Sequence, residues 1–393
     1  MNSVSDSRVI ILLLDGVGCG ELPDAADYRD QGSNTLANLA KAVGGLNLPN
    51  LAALGLGNII PVQGIAPQEK PQACFGKMAE QSAGKDSTAG HWEIAGLVTD
   101  KPFPLFPHGF PPELLHNLEQ AIDRKTIGNV AASGTEIIKE LGEEHVRTGC
   151  PIVYTSADSV LQIACHEDVI PADELYRICQ KARGLCSGPF CVGRVIARPF
   201  TGKPGSFKRT ARRKDFSCAP PQPTLLDNVK QAGQPVTGIG KVDDLFAGRG
   251  FTETHHSVNN ADCLRLTVEA MEKTMAGLIF TNLVQFDMDW GHRNDPAGFA
   301  AGLAEFDVLL PNILNRLDQH DLLFITADHG NDPTTASTDH SREYVPLLAL
   351  GPGFRKGVDL GTRSSFADLG QTAAEFLKMK PTPQGTSFLE LIQ

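Results

Sequence analysis

Six residues of this chain have the types and the settings to hold metal: Asp15, Asp287, His292, Asp328, His329 and His340. Carboxylates and imidazoles without thiolate suit Mn, Zn, Fe or Mg, and three of each suffice for two ions rather than one. Two ions roughly 3.5–4 Å apart can polarise a phosphoryl group and stabilise both its attacking and leaving oxygens. A serine deprotonated by one ion would then be a nucleophile, and Ser87 in Gly84-Lys-Asp-Ser-Thr-Ala-Gly-His-Trp-Glu-Ile-Ala-Gly96 is the natural candidate. Each residue also has a plain reading: Asp15 as a helix cap, His292 as a packed loop histidine, His340 as a surface residue, and Ser87 as the N-cap of a helix whose N–H groups could hold phosphate. Three acids at strand ends with three nearby histidines are harder to explain that way.

Stepping outward from the acids, each is preceded by an apolar run. Leu322-Leu-Phe-Ile-Thr runs into Ala327, Asp328 and His329 before Gly330, Arg8-Val-Ile-Ile-Leu-Leu-Leu14 into Asp15-Gly16, and Leu278 to Phe286 into Asp287. Such runs read as buried parallel strands, whose carboxyl ends lie together and open into the crevice where ligands bind in α/β sheets. The helical spacing predicts helices after Asn34, from Asn50, over 260–275, over 296–309 ahead of Pro311, and over 366–378, with a further strand over 345–350. The fold class expected is therefore α/β: a mostly parallel central sheet flanked by helices.

From about residue 101 the character changes, because Lys101-Pro-Phe-Pro-Leu-Phe-Pro-His-Gly-Phe-Pro-Pro112 suits no regular element. Helical patterns follow at 112–123, 134–142 and 172–184, with strand-like Ile152–Ser156 and Cys191–Ala197, before the irregular Cys218-Ala-Pro-Pro-Gln-Pro223. These limits predict an inserted α+β domain at 101–218 within a discontinuous core of 1–100 and 219–393. The basic run Lys208–Lys214 near its end reads as a solvated face or as a device that steers a phosphate ester.

At 393 residues the chain has room for two or three domains. A net charge of −11 argues against sequence-independent binding to nucleic acid or anionic membrane. Nine scattered cysteines without a Cys-x-x-Cys suggest reduced thiols, hence the cytoplasm. Val9–Leu14 is too short for a signal core and lacks a cleavage site, and no uninterrupted apolar run approaches a membrane span.

Four stretches together carry a resemblance: Asp15-Gly-Val-Gly18, Gly84-Lys-Asp-Ser-Thr-Ala-Gly-His-Trp-Glu93, Asp287-Met-Asp-Trp-Gly-His-Arg293, and Thr326-Ala-Asp-His-Gly-Asn-Asp-Pro333 with His340. They resemble the phosphopentomutase family of the alkaline phosphatase superfamily, over nearly the whole chain and including Tyr154-Thr-Ser-Ala-Asp-Ser159. The resemblance implies an alkaline-phosphatase-like core with a cap domain. It also implies two Mn2+ ions, one held by Asp287, His292 and His340, the other by Asp15, Asp328, His329 and the nucleophile. Ser156, Asp158, Arg194, Ile196, Arg209 and Lys241 fall where that family places substrate contacts.

The activity so implied is interconversion of ribose 1-phosphate and ribose 5-phosphate, and of their 2-deoxy forms, through a phosphoenzyme and a 1,5-bisphosphate, with a sugar bisphosphate as activator. The partner expected is a small pentose phosphate, with no nucleic acid and no membrane; the oligomeric state is left open. There are departures from the family pattern. Ser87 stands where Thr is usual and has Thr88 beside it, Trp290 replaces Tyr or Phe, and Asp289 is an additional acid beside the ligands. A cofactor-independent phosphoglycerate mutase or a metal-dependent phosphohydrolase on the same scaffold is the alternative.

Overall fold

The computed structural model describes residues 6–156, 159–257 and 259–393. The chain forms two compact units, Met1–Pro102 with Pro220–Gln393, and Phe103–Ala219.

In chain order the strands are β1 (Arg8–Leu14), β2 (Cys74–Met78), β3 (Ile127–Ala131), β4 (Ile152–Thr155), β5 (Val160–His166), β6 (Arg194–Thr201), β7 (Lys208–Arg209) and β8 (Lys214–Ser217). They continue as β9 (Val236–Ile239), β10 (Glu253–His255), β11 (Gly277–Leu283), β12 (Asp321–Thr326), β13 (Val345–Leu350) and β14 (Asp359–Arg363). The larger unit holds an eight-stranded sheet in the order β10-β9-β11-β1-β12-β13-β2-β14. Its first five strands are parallel, and β13 runs antiparallel to both its neighbours.

The apolar runs become central strands because both sheet faces are covered. Every residue of β1, β11 and β12 is buried and apolar residues dominate all three, with Arg8, Thr281, Asn282, Asp321 and Thr326 as buried polar members. Register does the rest: Leu14 pairs with Leu283 on one side of β1, and Leu13 with Thr326 on the other. Strands lie about 4.8 Å apart, so residues leaving these three ends start as neighbours although some 300 positions separate them in the chain. Buried Arg8 anchors the opposite end of the sheet, its guanidinium forked onto Asp321 at 2.8 and 2.6 Å.

The smaller unit has a sheet ordered β3-β4-β5-β6-β7, with β8 added to β6. Alternation splits its core: Val153, Leu161, Ile163 and Cys165 face one cluster with Leu118 and Leu175, while Ile152, Tyr154 and Ala164 face another with Ile137 and Ile138. The helices behind these clusters are Pro112–Ile122, Gly134–Thr148 and Ala172–Leu185.

Some expectations shift. The strand placed at Cys191–Ala197 begins at Arg194, because Gly188–Phe190 forms a 3-10 turn and Gly193 N–H donates to Ser159 Oγ at 3.3 Å. β11 ends at Leu283, and Asp287 sits on a π-helical turn, Phe286–Trp290, rather than at a strand terminus. The segment Pro296–Leu314 does have the length and mean hydropathy, 1.3, of a membrane span, though Pro311 interrupts it. It carries buried Phe299, Leu303 and Phe306, and buried Asp307, which accepts from Asn50 and Leu51 N–H at 3.0 and 2.7 Å and so caps helix Pro49–Leu54. That is the behaviour of a core-facing helix.

Candidate metal centre

Asp15 directly follows β1, and Gly16 after it turns with φ of 76°, where a side chain would press on Asn331. β12 ends at Thr326, and Ala327 leads into Asp328 and His329. The π turn after β11 carries Asp287, and the 3-10 turn Gly291–Arg293 that follows it presents His292. His340 arrives from the connection between β12 and β13.

These six converge. His329 Nε2 lies 3.4 Å from Asp15 Oδ1 and 3.3 Å from Asp328 Oδ2. His292 Nε2 is 3.0 Å from Asp287 Oδ2, and His340 Nε2 is 3.4 Å from Asp287 Oδ1. The His329 and His340 rings are 4.1 Å apart, which brings the two halves together. Two groups have ligand atoms close enough to share an ion, Asp15–Asp328–His329 and Asp287–His329–His340, so His329 stands between them.

Ser87 is the first residue of helix Ser87–Ile94, and its Oγ is 3.1 Å from His329 Nε2. The N-cap is Asp86, whose Oδ1 accepts from Thr88 and Ala89 N–H at 3.0 and 3.2 Å. With capping done by Asp86, the Ser87 hydroxyl is free for chemistry at the positive end of the helix. Glycine at position 90 lets this helix touch the β12 exit, since a Cβ there would overlap the Asp328 carbonyl.

A surrounding layer fixes the orientation of the ligand atoms. His329 Nδ1 meets the Gly330 carbonyl at 3.0 Å and His292 Nδ1 the Thr338 carbonyl at 2.7 Å, which places a proton on each Nδ1 and directs Nε2 at the centre. Asn331 Nδ2 donates to Asp287 Oδ1 at 2.6 Å and Asn282 Nδ2 to Asp15 Oδ2 at 2.9 Å. His91 Nδ1 lies 2.8 Å from the Ser87 carbonyl and 3.0 Å from Asp328 Oδ2, joining the nucleophile's backbone to a carboxylate. Arg342 donates to the carbonyls of Ser82 and Gly84 at 2.7 Å each and pins the segment leading to Ser87.

The electrostatics show what the centre favours. Burial, and then the charge of Asp328, push the Asp15 carboxyl above its usual range. Burial works the same way on Asp287, but His340 and His292 outweigh it and hold that carboxyl well below the usual range. Burial opposes protonation of His329, yet Asp328 and Asp15 hold its imidazole well above the usual value. His292 is likewise raised to about 9 by Asp287, against burial. Protons on the imidazoles here stand in for positive charge that the carboxylates require. Asp15 Oδ1 and Asp328 Oδ2 are buried and face only imidazole nitrogens, at 3.0–3.4 Å. Such an atom costs about 1–3 kcal/mol or more when unsatisfied, and a divalent cation would satisfy both. The oxygen and nitrogen donor set therefore fits hard or borderline divalent ions.

Comparison with known proteins agrees. Residues 7–381 match the metalloenzyme superfamily. The chain is 60% identical over 386 residues to a phosphopentomutase of Dictyoglomus turgidum, covering 98% of each chain, and 58% identical to one of Acetivibrio thermocellus, covering 97% of this chain and 98% of that one. The chain belongs to the phosphopentomutase family. Its fold is alkaline-phosphatase-like, and it is shared along the whole length with Leishmania mexicana phosphoglycerate mutase, solved at low cobalt concentration (TM-score 0.51, 13% identity, covering 100% of this chain and 99% of that one). The PH0037 protein of Pyrococcus horikoshii is a second such neighbour (TM-score 0.50, 17% identity, covering 95% and 98%).

The remaining residues expected at a phosphopentomutase site are dispersed. Ser156 follows β4, Arg194 and Ile196 lie two apart on β6, and Arg209 is exposed on β7, all in the smaller unit. Ile196 is buried, and Arg194 Nη1 lies 3.6 Å from Asp215 Oδ2. Lys241 belongs to the larger unit, before helix Val242–Leu245, with Nζ 3.2 Å from Met288 Sδ. Asp158 lies outside the described residues. The additional acid Asp289 accepts from Gln285 Nε2 at 2.9 Å and joins neither ligand group.

Sequence reasoning gave no role to Asn282, Asn331, His91 or Arg342. Asn331 and His91 lie inside the stretches that carried the resemblance, which is the signal that could have found them. Asn282 is an amide inside an apolar strand, where a buried polar group needs a partner.

Proposed function

We propose that this chain is a phosphopentomutase, interconverting the 1- and 5-phosphates of ribose and 2-deoxyribose with Ser87 as the phosphoryl carrier. The observation that supports it most is the Ser87 hydroxyl, freed from capping by Asp86, 3.1 Å from His329 Nε2 at the edge of the converging ligands.

Asp15, Asp328 and His329 would hold one divalent cation beside Ser87, and Asp287 and His340 a second, with His329 at their junction; His292, 3.0 Å from Asp287, is assigned to the second ion from the family resemblance. Mn2+ is our assignment for both, from the donor chemistry and the family resemblance. Bound there, the ions supply positive charge that lowers the hydroxyl's pKa and neutralises the transferring phosphoryl group.

The protein's own contribution is placement. Phosphorylated Ser87 presents its phosphoryl group to the free hydroxyl of a pentose monophosphate; the new O–P bond forms as the bond to Ser87 Oγ breaks, giving the 1,5-bisphosphate. After the bisphosphate turns around, Ser87 Oγ accepts the other phosphoryl group and the isomeric monophosphate leaves. The N–H groups at the start of helix Ser87–Ile94 favour the anionic group throughout. The family resemblance assigns substrate contacts to Arg194, Arg209 and Lys241 as phosphate-binding cations, and to Asp158, Ser156 and Ile196. The family resemblance makes Phe103–Ala219 a cap domain, and a sugar bisphosphate primes the unphosphorylated enzyme.

Radiolabelled ribose 1,5-bisphosphate tests this reading. The label should appear on the Ser87 peptide, and chasing with unlabelled monophosphate should carry it into sugar phosphates. A phosphohydrolase would deliver it to inorganic phosphate instead. Label on Thr88 would reassign the nucleophile.

A further inference from the structure

Away from the metal centre, the smaller unit brings together two of the chain's nine free cysteines. Cys191 Sγ and Cys218 Sγ are 2.9 Å apart across 27 residues of sequence, and both are partly exposed. Two features of the fold produce this approach. The β6–β8 ladder pairs Arg194 with Ser217, and beyond it Cys218 N–H donates to the Gly193 carbonyl at 2.8 Å. The Gly188–Phe190 turn then bends the chain so that Cys191 faces Cys218.

A cation stands beside the pair. Arg183 is fixed by the Val192 and Cys186 carbonyls at 2.7 and 2.6 Å, and its Nη2 is 3.8 Å from Cys191 Sγ. The hydrogen bond from Cys218 lowers the Cys191 thiol to about 6; burial opposes this and Arg183 assists it. Cys218 is shifted the other way by the same hydrogen bond and by burial. Neighbouring Cys186 is pushed by burial up to about 11, and buried Cys165 and Cys179 are raised as well. Arg183 beside Cys191 favours the thiolate there, and Cys218 lies within reach to resolve it, the arrangement of an attacking and a resolving cysteine.

We propose that Cys191 and Cys218 form a reversible redox site, oxidised to a disulfide by peroxide and reduced again by dithiols. The Cys191 thiolate attacks one oxygen of hydrogen peroxide. The O–O bond breaks, and hydroxide leaves and is protonated to water, so that Cys191 becomes a sulfenic acid. Cys218 sulfur then attacks Cys191 sulfur; the S–S bond forms as the S–O bond breaks, and the hydroxyl departs with the Cys218 proton as a second water. The two thiols give up two electrons and peroxide accepts them. The bond closes across the start of the ladder that carries Arg194 and Asp215 and fixes the segment leading to Pro220. The site rests on the sulfur geometry and the neighbouring Arg183 and is independent of the reaction assigned to the metal centre.

Peptide mapping of the full-length protein under non-reducing conditions, after brief treatment with dilute hydrogen peroxide, tests it. A Cys191–Cys218 linked pair two hydrogens lighter than its thiols is expected, disappearing on treatment with dithiothreitol. Cys218→Ser should instead leave a Cys191 sulfenic acid that dimedone traps. In the untreated protein, Cys191 should be alkylated at neutral pH about tenfold faster than the buried cysteines, and Arg183→Met should slow it. A Cys191–Cys186 link, or a pair still reduced when other cysteines have oxidised, would overturn the proposal.

Discussion

At the scale of single residues, the centre is a balance of buried charge, and its members should fail in distinguishable ways. Ser87→Ala should lower isomerisation by roughly a thousandfold or more while bound metal, measured by atomic emission, is unchanged. Thr88→Ala should stay active, because it is Ser87 Oγ that lies beside His329. Asn331→Ala removes the 2.6 Å donor to Asp287 without touching an ion. It should weaken metal binding by about 10- to 100-fold in a chelator competition titration and leave Ser87 phosphorylation attainable at saturating metal. His292 adds a pH dependence. Its ordinary value is 6.5 and the folded, metal-free protein raises it to about 9. Between those values the folded state holds more protons than the unfolded one, so stability falls as pH rises. The metal-free protein should melt at progressively lower temperature over that window, and metal loading, which displaces the proton, should flatten the trend. His292 is 37% exposed, so solvent screens this effect.

At the scale of elements, the site depends on three strand exits and one helix start meeting. Gly90→Ala should separate two of them, because the added methyl overlaps the Asp328 carbonyl. A cost of about 1–3 kcal/mol in thermal unfolding is expected, with a loss of turnover larger than the loss of stability implies. Much of this was legible in the sequence. The runs before Asp15 and Asp328 announced β1 and β12 because strands buried on both faces are filled mostly by apolar side chains. Helix Thr35–Ala42 was marked by Asn34, whose side chain accepts from Ala37 N–H. Asp287 was placed at a strand end because Val284 and Phe286 extend the apolar run across Gln285, and a π turn leaves no periodic signature in five residues. Cys191–Ala197 was read three residues early because Cys191 and Val192 look strand-like while the turn before them dictates otherwise. β2, β3, β5, β7, β8, β9, β10 and β14 went unseen: Gly76, Gly128, Gly238 and Gly361 dilute the strand pattern, β5 mixes Gln162 and His166 among its apolar residues, and β7, β8 and β10 are short and polar. For the centre, ligand types showed in the sequence, whereas Asn282, His91 and Arg342 act through contacts that span tens to hundreds of positions.

At the scale of the whole molecule, ligand binding at the sheet's carboxyl edge is coupled to folding. Three buried carboxylates crowd together in the larger unit, so cations that bind only the folded state should stabilise it by about 3–4 kcal/mol at 100 to 1,000 times their dissociation constant. Dialysis against a strong chelator should therefore lower the melting temperature by several degrees, and Mn2+ should restore it. The isolated Phe103–Ala219 unit contains none of the six ligands, and its melting should not respond to Mn2+. The measurement that tests the central claim most directly is isomerisation itself: the purified chain with ribose 5-phosphate, Mn2+ and a catalytic amount of sugar bisphosphate, with both pentose phosphates and inorganic phosphate followed in time. Ribose 1-phosphate should appear up to a fixed equilibrium ratio with phosphate staying at background. Steady release of inorganic phosphate with no ribose 1-phosphate would contradict the assignment of a mutase built around Ser87.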